Sequence, residues 1–307
     1  MTKVLVTGGH GFLGQHIVQE LMARNYDVEI APRSSECDLR ESIQVGQLIF
    51  TTRPDIVIHA AAHCGGIGLN KEKPAELFYD NIMMGVQLMH KAWKYQVNKF
   101  VQIGTICEYP NIVEVPFREE TIWDGYPETT NAAYGIAKKA LLVQGQAYRQ
   151  QYDFDVIHLL PVNLYGPGDN FDLESSHVIP ALIRKIAEAH KVDAPSVDVW
   201  GTGRASREFL YVADAAEAIV SAMESYSEAA PVNIGSGVEI TIAKLVDMIA
   251  DAIGYKGLIM FDGNKPDGQP RRCLDTQRAK TKFGFEARTS LDEGLEKTIK
   301  WYYEEIA

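Results

Sequence analysis

The sequence predicts an α/β fold, a doubly wound parallel Rossmann sheet with a smaller, interleaved C-terminal lobe. Through the first half of the chain, short runs rich in β-branched residues alternate with longer segments of helical periodicity. This alternation is typical of β-α-β units. The runs are apolar on both faces, as expected for strands that helices cover on both sides. With 307 residues and 46% apolar side chains, the chain can bury its own core without disulfide bonds.

The first half contains five predicted strands and three predicted helices. The strands are Val4–Val6, Val28–Ala31, Ile56–Ala61, Phe100–Ile103 and Val156–Leu160. The helices are Phe12–Arg24, Ala75–Tyr95 and Thr130–Gln151. Each helix is long enough to return the chain to the start of a parallel strand, which supports the doubly wound arrangement.

Past Leu160 the pattern changes, because proline and glycine interrupt it repeatedly between residues 161 and 168. The elements predicted there are helices near Val178–Ala189, Thr241–Ala252 and Leu291–Tyr303, and strands near Val197–Trp200, Phe209–Val212 and Val232–Ile234. We assign residues 1–165 to the Rossmann domain, with later strands returning around 205–235, and residues 166–307 mainly to the smaller lobe. Ligands of such folds bind at the carboxyl ends of the strands.

The chain has 30 basic and 41 acidic residues, a formal net charge of −11. A field of this sign repels nucleic acid and anionic lipid, so we expect neither as a partner. The four cysteines lie far apart and form no Cys-x-x-Cys pair, so we expect neither a metal nor a disulfide framework. The first residues are typical of a strand and turn rather than of a signal peptide, and we expect a cytoplasmic protein without a membrane span.

A glycine-rich turn follows the first predicted strand. Gly8, Gly11 and Gly14 are three residues apart and open a helix that includes Phe12 and Leu13. In nucleotide-binding folds the first glycine permits a tight turn, the second lets the backbone approach a pyrophosphate, and the third lets helix and strand pack closely. The helix N-terminus presents free N–H groups to the phosphates. Its position between a strand and a helix therefore favours a dinucleotide site over an ordinary turn.

The end of the second predicted strand indicates which dinucleotide binds. An acidic residue there suits the ribose 2′-hydroxyl of NAD, whereas an arginine suits the 2′-phosphate of NADP. Glu29 lies inside the strand, and Arg33 follows it with Ser34 and Ser35. This arrangement favours NADP(H). The alternative is a solvated loop arginine, because two acidic residues follow closely.

Tyr134 and Lys138 form a Tyr-x-x-x-Lys pair in the third predicted helix, and this spacing places both side chains on one face. We expect the ammonium to lower the pKa of the phenol from about 10, since the phenolate gains a positive neighbour. Tyr134 is therefore a candidate acid or base. Together with Thr105 at the end of the fourth predicted strand, the pair resembles the hydride-transfer triad of the short-chain dehydrogenase/reductase superfamily.

Further segments match a narrower pattern. They are Ala60–Ile67, Asp80–Asn81, Ile103–Pro110, Asn163–Asn170, Ser176–Arg184, Val199–Gly203, Arg207–Tyr211 and Lys265–Arg271. Together they resemble the GDP-L-fucose synthase family. The resemblance implies an NADPH-dependent enzyme that epimerises GDP-4-keto-6-deoxy-D-mannose at C3 and C5 and reduces it at C4 to GDP-L-fucose. It also implies a homodimer that pairs through the helices at 75–95 and 130–151, and a substrate-binding role for the C-terminal lobe.

The resemblance also implies roles for individual residues. Cys107 and His177 match the acid/base pair of the epimerisation, and reference pKa values of about 8.5 and 6.5 let thiol and imidazole exchange protons near neutral pH. Tyr134 and Thr105 would bind the C4 oxygen, and Tyr134 would protonate the alkoxide. The implied coenzyme contacts are Gly8, Gly11, Phe12, Leu13, Gly14, Arg33, Lys138, Pro161, Asn163, Leu164 and His177. The implied contacts to the sugar nucleotide are Lys185, Trp200, Arg207 and Asp267.

Several of these roles have alternatives. Cys107 would ordinarily be a small buried hydrophobic residue. His177 could serve at a helix N-terminus, and Trp200 could pack in the core. A different class, a non-catalytic dinucleotide sensor, is disfavoured because Tyr134 and Lys138 are both intact.

The chain also departs from the family pattern. Thr105 and Ile106 stand where the family has two serines, and His10 replaces an arginine of the glycine loop. Lys185 replaces an arginine, which keeps the charge but loses the bidentate fork, and Glu108 is unusual beside the cysteine. These departures leave open a related GDP-linked 4-keto hexose or heptose as substrate, with epimerisation, reduction or both.

Overall fold

The structure, a computed structural model, describes residues 1–173, 175–265 and 267–307. Its strands are β1 (Lys3–Thr7), β2 (Asp27–Ile30), β3 (Ile56–His59), β4 (Lys99–Ile103), β5 (Asp155–Pro161), β6 (Asn163–Tyr165), β7 (Ser196–Trp200), β8 (Ser206–Tyr211), β9 (Val232–Ile234), β10 (Glu239–Thr241), β11 (Leu258–Asp262) and β12 (Arg271–Arg272). Its helices are α1 (Phe12–Ala23), α2 (Ser42–Thr52), α3 (Ile67–Glu72), α4 (Pro74–Lys94), α5 (Ala132–Tyr152), α6 (Val178–Lys191), α7 (Val212–Ser225), α8 (Ile242–Ile253), α9 (Gln277–Phe283) and α10 (Leu291–Glu305). Two 3₁₀ turns span Ile106–Glu108 and Glu119–Trp123.

Six strands form a parallel sheet in the order β2-β1-β3-β4-β5-β9, which confirms the predicted α/β Rossmann class. The order reverses between β1 and β3, so the turns after these strands diverge and leave a crevice at the carboxyl edge. β9 pairs with β5 and so returns part of the second half of the chain to this sheet. The domain boundary at residue 165 stays a prediction.

Successive side chains of a strand point to opposite faces of the sheet. Since these strands are apolar at successive positions, both faces of the sheet are apolar. One face packs against α1 and α7, and the other against α2 and α4. Val4, Val6 and Ile58 belong to the first core, and Leu5 and Val57 to the second. Burying each such side chain contributes about 1.5–3 kcal/mol, so the two layers hold the carboxyl edge of the sheet in place.

The C-terminal half builds a second core. In this core α6, α8 and α10 pack against β7 and β8, two strands that lie outside the parallel sheet. β8 pairs with β6, β10 and β12, and β7 pairs with β11. Within the three described ranges, none of the helices combines the length and the hydropathy that crossing a membrane requires.

The predicted elements agree with the structure to within a few residues. Eight described elements were not predicted, namely α2, α3, α7, α9, β6, β10, β11 and β12. Val45, Leu48 and Ile49 of α2 nevertheless have helical spacing and are buried. Helix α7 begins at Val212, the residue at which the predicted strand was expected to end. The strand predicted over Ile56–Ala61 ends at His59, because the chain leaves the sheet there to form a turn against the glycine loop.

Candidate active site

A cavity of about 1300 Å³ lies at the carboxyl edge of the parallel sheet, between the sheet and the C-terminal lobe. The turns after β1, β3, β4 and β5 form one wall, and α6, β7 and β8 contribute to the other. Every predicted site residue lines this cavity: Gly8, Gly11, Phe12, Leu13, Gly14, Arg33, Thr105, Cys107, Tyr134, Lys138, Pro161, Asn163, Leu164, His177, Lys185, Trp200, Arg207 and Asp267. Their individual roles stay predictions.

Backbone atoms form the cavity wall at the glycine loop. Gly8 has a φ of 73° and approaches Ala61 so closely that a Cβ would lie 2.7 Å from its backbone nitrogen. A Cβ on Gly14 would overlap the carbonyl oxygen of Gly8. Gly11 caps α1 without a side-chain hydrogen bond, which leaves the first helical N–H groups available to an anion. The loop therefore fits a pyrophosphate.

The loop after β2 supplies charged groups at one end of the cavity. Arg33 is exposed and forms no ion pair with any residue in the described part of the chain. The nearby carboxylate of Asp38 is already held by Arg40 at 2.7 Å, and this hydrogen bond lowers the pKa of Asp38. Arg40 also binds Asp80 at 2.8 Å. Arg33 is thus the cation at this end that remains available to a phosphate.

The predicted triad is assembled at the ends of β4 and α5. Tyr134 and Thr105 both line the cavity, and Thr105 opposes the rise in the pKa of Tyr134 that burial causes. The ammonium of Lys138 donates to the carbonyl oxygen of Ile103 at 3.1 Å. Both arrangements follow from α5 passing directly over the last residue of β4, and they place hydroxyl and ammonium groups on one side of the cavity.

The expectation that the pKa of Tyr134 lies below its usual value of about 10 is wrong in this structure. Burial raises the pKa of Tyr134 well above 10, and Cys64 and Cys107 add to the effect. Burial also lowers the pKa of Lys138 to about 8, although Cys64 and Glu108 oppose this shift. Burial disfavours the charged form of each group, and this effect is the largest cause of both shifts.

Cys107 and His177 face the cavity from different parts of the fold. Cys107 is half-buried and lies in the turn after β4, and Arg272 Nη1 is 3.7 Å from its sulfur. His177 is the N-cap residue of α6, as the alternative expected, but its side chain makes no capping hydrogen bond. Burial lowers the pKa of His177, which favours a neutral imidazole that can accept a proton.

Two arginines lie side by side near the sugar-nucleotide end. Arg207 of β8 is in register with Arg272 of β12, and both line the cavity. Burial and the charge of Arg272 lower the pKa of Arg207 to about 10. Two adjacent guanidinium groups repel each other unless an anion lies between them, and a diphosphate is such an anion.

Trp200 has an exposed face between two cations. It is 58% exposed, so the core-packing alternative is wrong. The ammonium groups of Lys185 and Lys265 lie 5.3 and 5.1 Å from its ring centroid. Asp267 accepts hydrogen bonds at 2.7 Å from the backbone and hydroxyl of Thr202, which fixes the turn after the tryptophan. An aromatic face beside cations suits a nucleotide base next to its phosphates.

Comparisons with known proteins agree with this geometry. Residues 4–235 match the NAD dependent epimerase/dehydratase family. The GDP-L-fucose synthase of Sinorhizobium fredii is 39% identical over 305 residues, which cover 99% of this chain and 96% of that protein. The chain belongs to the GDP-L-fucose synthase family. The predicted resemblance is therefore confirmed, and the protein is an enzyme.

Solved structures extend the relation of this GDP-L-fucose synthase family member. A GDP-6-OMe-4-keto-L-xylo-heptose reductase from C. jejuni superposes with a TM-score of 0.93 at 26% identity, covering 99% of this chain and 98% of the other. A GDP-L-fucose synthetase from Naegleria fowleri bound to NADP has a TM-score of 0.89 at 27% identity, covering 99% and 94%. Both a fucose-type and a heptose-type enzyme are thus similar to the chain.

The sequence analysis missed two cavity residues of this GDP-L-fucose synthase family member. Arg272 was not among the predicted contacts, although it lines the cavity. Its neighbour Arg271 pairs with Glu239 on the exposed side of the strand. Cys64 was also not among the predicted site residues, yet it lines the cavity and raises the pKa of Tyr134. Its position directly after β3 was the signal that could have included it.

Proposed function

We propose that this protein epimerises GDP-4-keto-6-deoxy-D-mannose at C3 and C5 and reduces it at C4 with NADPH, giving GDP-L-fucose. The observation that carries the proposal is that one cavity brings together a glycine loop, a Tyr-Lys pair, a thiol, an imidazole and a paired-arginine site. The GDP-L-fucose synthases at 39% identity support the same substrate.

The cofactor site fits NADP(H). The first turn of α1 leaves its N–H groups uncapped, and Gly14 gives the space that a Cβ would fill. Gly11, Phe12, Leu13 and Gly14 would hold the pyrophosphate, and Arg33 the 2′-phosphate. Pro161, Asn163, Leu164, His177 and Lys138 would line the remaining part. When bound, NADPH supplies the hydride for C4.

The epimerisation uses the acidity that the C4 ketone gives to the neighbouring C–H bonds. Removing a proton from C3 or C5 gives an enolate whose charge lies on the C4 oxygen, and returning a proton to the opposite face inverts the centre. Cys107 and His177 are the acid/base pair of this step. His177 is neutral near pH 7 because burial lowers its pKa, and Cys107 lies beside the fixed charge of Arg272.

The reduction uses the same C4 oxygen. Tyr134 and Thr105, which both line the cavity, donate to this oxygen and stabilise the enolate in one reaction and the alkoxide in the other. Tyr134 then transfers its proton to the alkoxide. The charge of Lys138 favours the phenolate that remains, and Ile103 holds that charge in place.

The proposal is tested by following NADPH oxidation with GDP-4-keto-6-deoxy-D-mannose and identifying the product by NMR. We expect a product inverted at both C3 and C5 and reduced at C4. Cofactor oxidation that requires this substrate supports the proposal. Tight NADPH binding without any oxidation in its presence contradicts it.

A related GDP-linked 4-keto hexose or heptose is the second candidate. The observation that favours it is the TM-score of 0.93 to a GDP-heptose reductase from C. jejuni, together with the departures at Ile106 and Glu108. A panel of GDP-linked ketosugars with product NMR separates the candidates. Reduction at C4 without inversion identifies a reductase of this second type.

We also propose a homodimer that pairs through α4 and α5. Apolar side chains are exposed along both helices, namely Phe78, Tyr79, Val86, Val143 and Tyr152. Scattering mass in solution is expected to double that of one chain. Val143→Glu should lower it, while the matched change Ile112→Glu, at another exposed apolar residue, should not. The free thiols Cys37, Cys64, Cys107 and Cys273 suit the reducing cytoplasm, which stays a prediction.

A further inference from the structure

A buried acid–imidazole pair lies directly behind the reactive side chains. Glu108 is 0% exposed, and His158 of β5 is 4% exposed. The His158 Nε2 atom is 3.1 Å from both carboxylate oxygens of Glu108. Among the described residues, the cavity wall includes Thr105 and Cys107 but neither member of this pair. The mechanism above therefore gives it no role.

The Glu108 side chain closes the turn that presents Thr105 and Cys107. It accepts the backbone N–H of Thr105 at 3.0 Å. In return, Thr105 Oγ1 accepts the backbone N–H of Cys107 at 3.2 Å. This reciprocal pattern is a capping box, which needs an acceptor side chain at the fourth position. Since the threonine oxygen accepts from Cys107, its own proton is directed elsewhere, toward Tyr134 or a substrate oxygen.

The surroundings leave this turn no room to shift. A Cβ on Gly104 would overlap both the imidazole of His158 and the carboxylate of Glu108. A Cβ on Gly135 of α5 would overlap the carbonyl oxygen of Cys107. Helix α5 thus contacts the turn through its backbone at Gly135, whereas β5 contacts it through the His158 side chain. The Glu108 side chain fixes the orientation of the turn from inside.

Charges from the neighbouring elements face Glu108. His158 approaches from β5, and Lys138 and Lys139 of α5 both interact with its charge. Tyr109 and Tyr134 are the acidic groups that its charge disfavours in their ionised forms.

Lys138 is in turn faced by Cys64 beyond β3 and by His59 on β3. Removing the charge of Glu108 therefore removes one of the groups that keep Lys138 protonated.

We propose that Glu108 and His158 are a positioning pair, which fixes the 105–108 turn so that the Thr105 hydroxyl and the Cys107 thiol face one substrate. The inference rests on the proposed function for its kinetic readouts. Neither residue touches the reacting atoms, and both act through Thr105 and Cys107. Loss of the pair should lower kcat while leaving the KM for NADPH unchanged.

The test compares three variants of the full-length protein. Glu108→Leu and the double variant Glu108→Leu/His158→Leu should each lose about 100-fold in kcat, the cost of a misplaced reacting group. The double variant should unfold at a higher temperature than Glu108→Leu, because replacing both buried partners leaves no unpaired imidazole. A double variant that regains wild-type kcat overturns the inference.

Glu108→Gln separates the role of Glu108 as a hydrogen-bond acceptor from the role of its negative charge. This variant also tests the positioning role if the leucine variants do not fold. Glutamine keeps an acceptor for the Thr105 N–H and removes the charge. We expect a smaller loss of kcat than with leucine, and a fall of kcat/KM that begins at lower pH, because Lys138 loses a stabilising negative neighbour. An unshifted pH profile with a loss equal to that of leucine overturns the inference.

Asp214→Leu is the matched control. Asp214 is also a buried carboxylate that accepts backbone N–H groups, those of Arg288 and Thr289 at 2.8 Å, but it lies outside the cavity wall. We expect a lower unfolding temperature with kcat unchanged. If kcat falls in proportion to stability in this variant as in Glu108→Leu, the effect is general destabilisation and the inference is wrong.

A substrate-free measurement separates this inference from the proposed function. In a Cys64→Ser background, iodoacetamide labelling of Cys107 followed by mass spectrometry should be about tenfold faster in Glu108→Leu than with Glu108 intact, because the turn opens locally. Equal labelling rates overturn the positioning role. Failure of the wild type to oxidise NADPH with the GDP-linked ketosugar contradicts only the proposed function.

Discussion

The two ends of the cavity differ in whether backbone atoms or side chains form the wall. At the glycine loop the wall is backbone, with Gly8 against Ala61 and the uncapped start of α1 facing inward. At the opposite end the wall is made of side chains, with Arg207 beside Arg272 and Lys185 beside Trp200. The first end presents N–H dipoles that folding has already oriented. The second presents like charges that an anion must bridge.

This difference has consequences for binding and stability. Binding an anion to the backbone N–H groups of the glycine loop loses little conformational entropy, since folding has already oriented these donors. A pair of buried guanidinium groups is unfavourable alone, as the lowered pKa of Arg207 indicates. Binding of a diphosphate should therefore stabilise the C-terminal lobe more than binding of a neutral sugar. Thr105, Tyr134 and Lys138 line the same cavity, and under the proposed function both ligands would meet at these three residues, which we call the junction.

The largest effect is expected at this junction. Tyr134→Phe removes the proton donor and keeps the ring that packs beside α5, so the fold and NADPH binding should persist. Hydride transfer should fall by about 10²–10⁴-fold, the usual contribution of a positioned acid. NADPH oxidation measures the rate and fluorescence titration measures binding. A variant that retains its rate would show that another group protonates the C4 oxygen.

Cys107→Ser separates the two reactions that share the junction. Serine keeps the size of the side chain but is a far weaker acid and base than a thiol, so the C–H exchange should slow by about 100-fold. Reduction of a substrate that is already inverted should fall much less. Deuterium incorporation at C3 and C5, measured by NMR beside NADPH oxidation, compares them. Equal losses in both reactions would contradict the assigned division of roles.

The side-chain end is tested by Arg207→Met. Methionine fills similar space and removes one of the two adjacent charges, so the KM for the GDP-linked sugar should rise by about 10- to 100-fold, the worth of a charged hydrogen bond. The KM for NADPH should stay unchanged, because the glycine loop is at the other end. The matched variant Arg271→Met, whose side chain pairs with Glu239 outside the cavity, should have little effect. A rise for both ligands would contradict the separation of the two ends.

The two ends also differ in how far the sequence predicted them. The tight glycine turn before α1 was predicted, because a local sequence motif encodes its backbone geometry. Arg272 was missed, since its partner Arg207 is distant in the chain and only strand pairing brings them into register. The parallel sheet was predicted because β-branched runs mark its strands. The pKa of Tyr134 was predicted in the wrong direction, because desolvation depends on burial that spacing does not reveal.

The junction should also show a pH dependence. Burial lowers the pKa of Lys138 to about 8, so kcat/KM should fall by up to about tenfold per pH unit above that value as its charge is lost. The unfolded chain holds this proton up to about 10.4, so the contribution of Lys138 to stability rises over the same interval. Lys138→Arg keeps its charge and should flatten the fall. An unchanged profile in that variant would assign the fall to another group.

The smallest effect is expected at Arg33, an exposed side chain at the glycine-loop end of the cavity. An exposed charge pair is screened by water and salt, so Arg33→Ala should weaken NADPH binding by only about two- to fivefold. NADH binding should be unchanged, since it has no 2′-phosphate, and the difference should vanish at high salt. Titration of both coenzymes at two ionic strengths measures this. The pyrophosphate would bind the N–H groups of α1, and a side-chain change at Arg33 does not alter these groups. Equal weakening of NADPH and NADH binding would therefore mean that the glycine loop had moved.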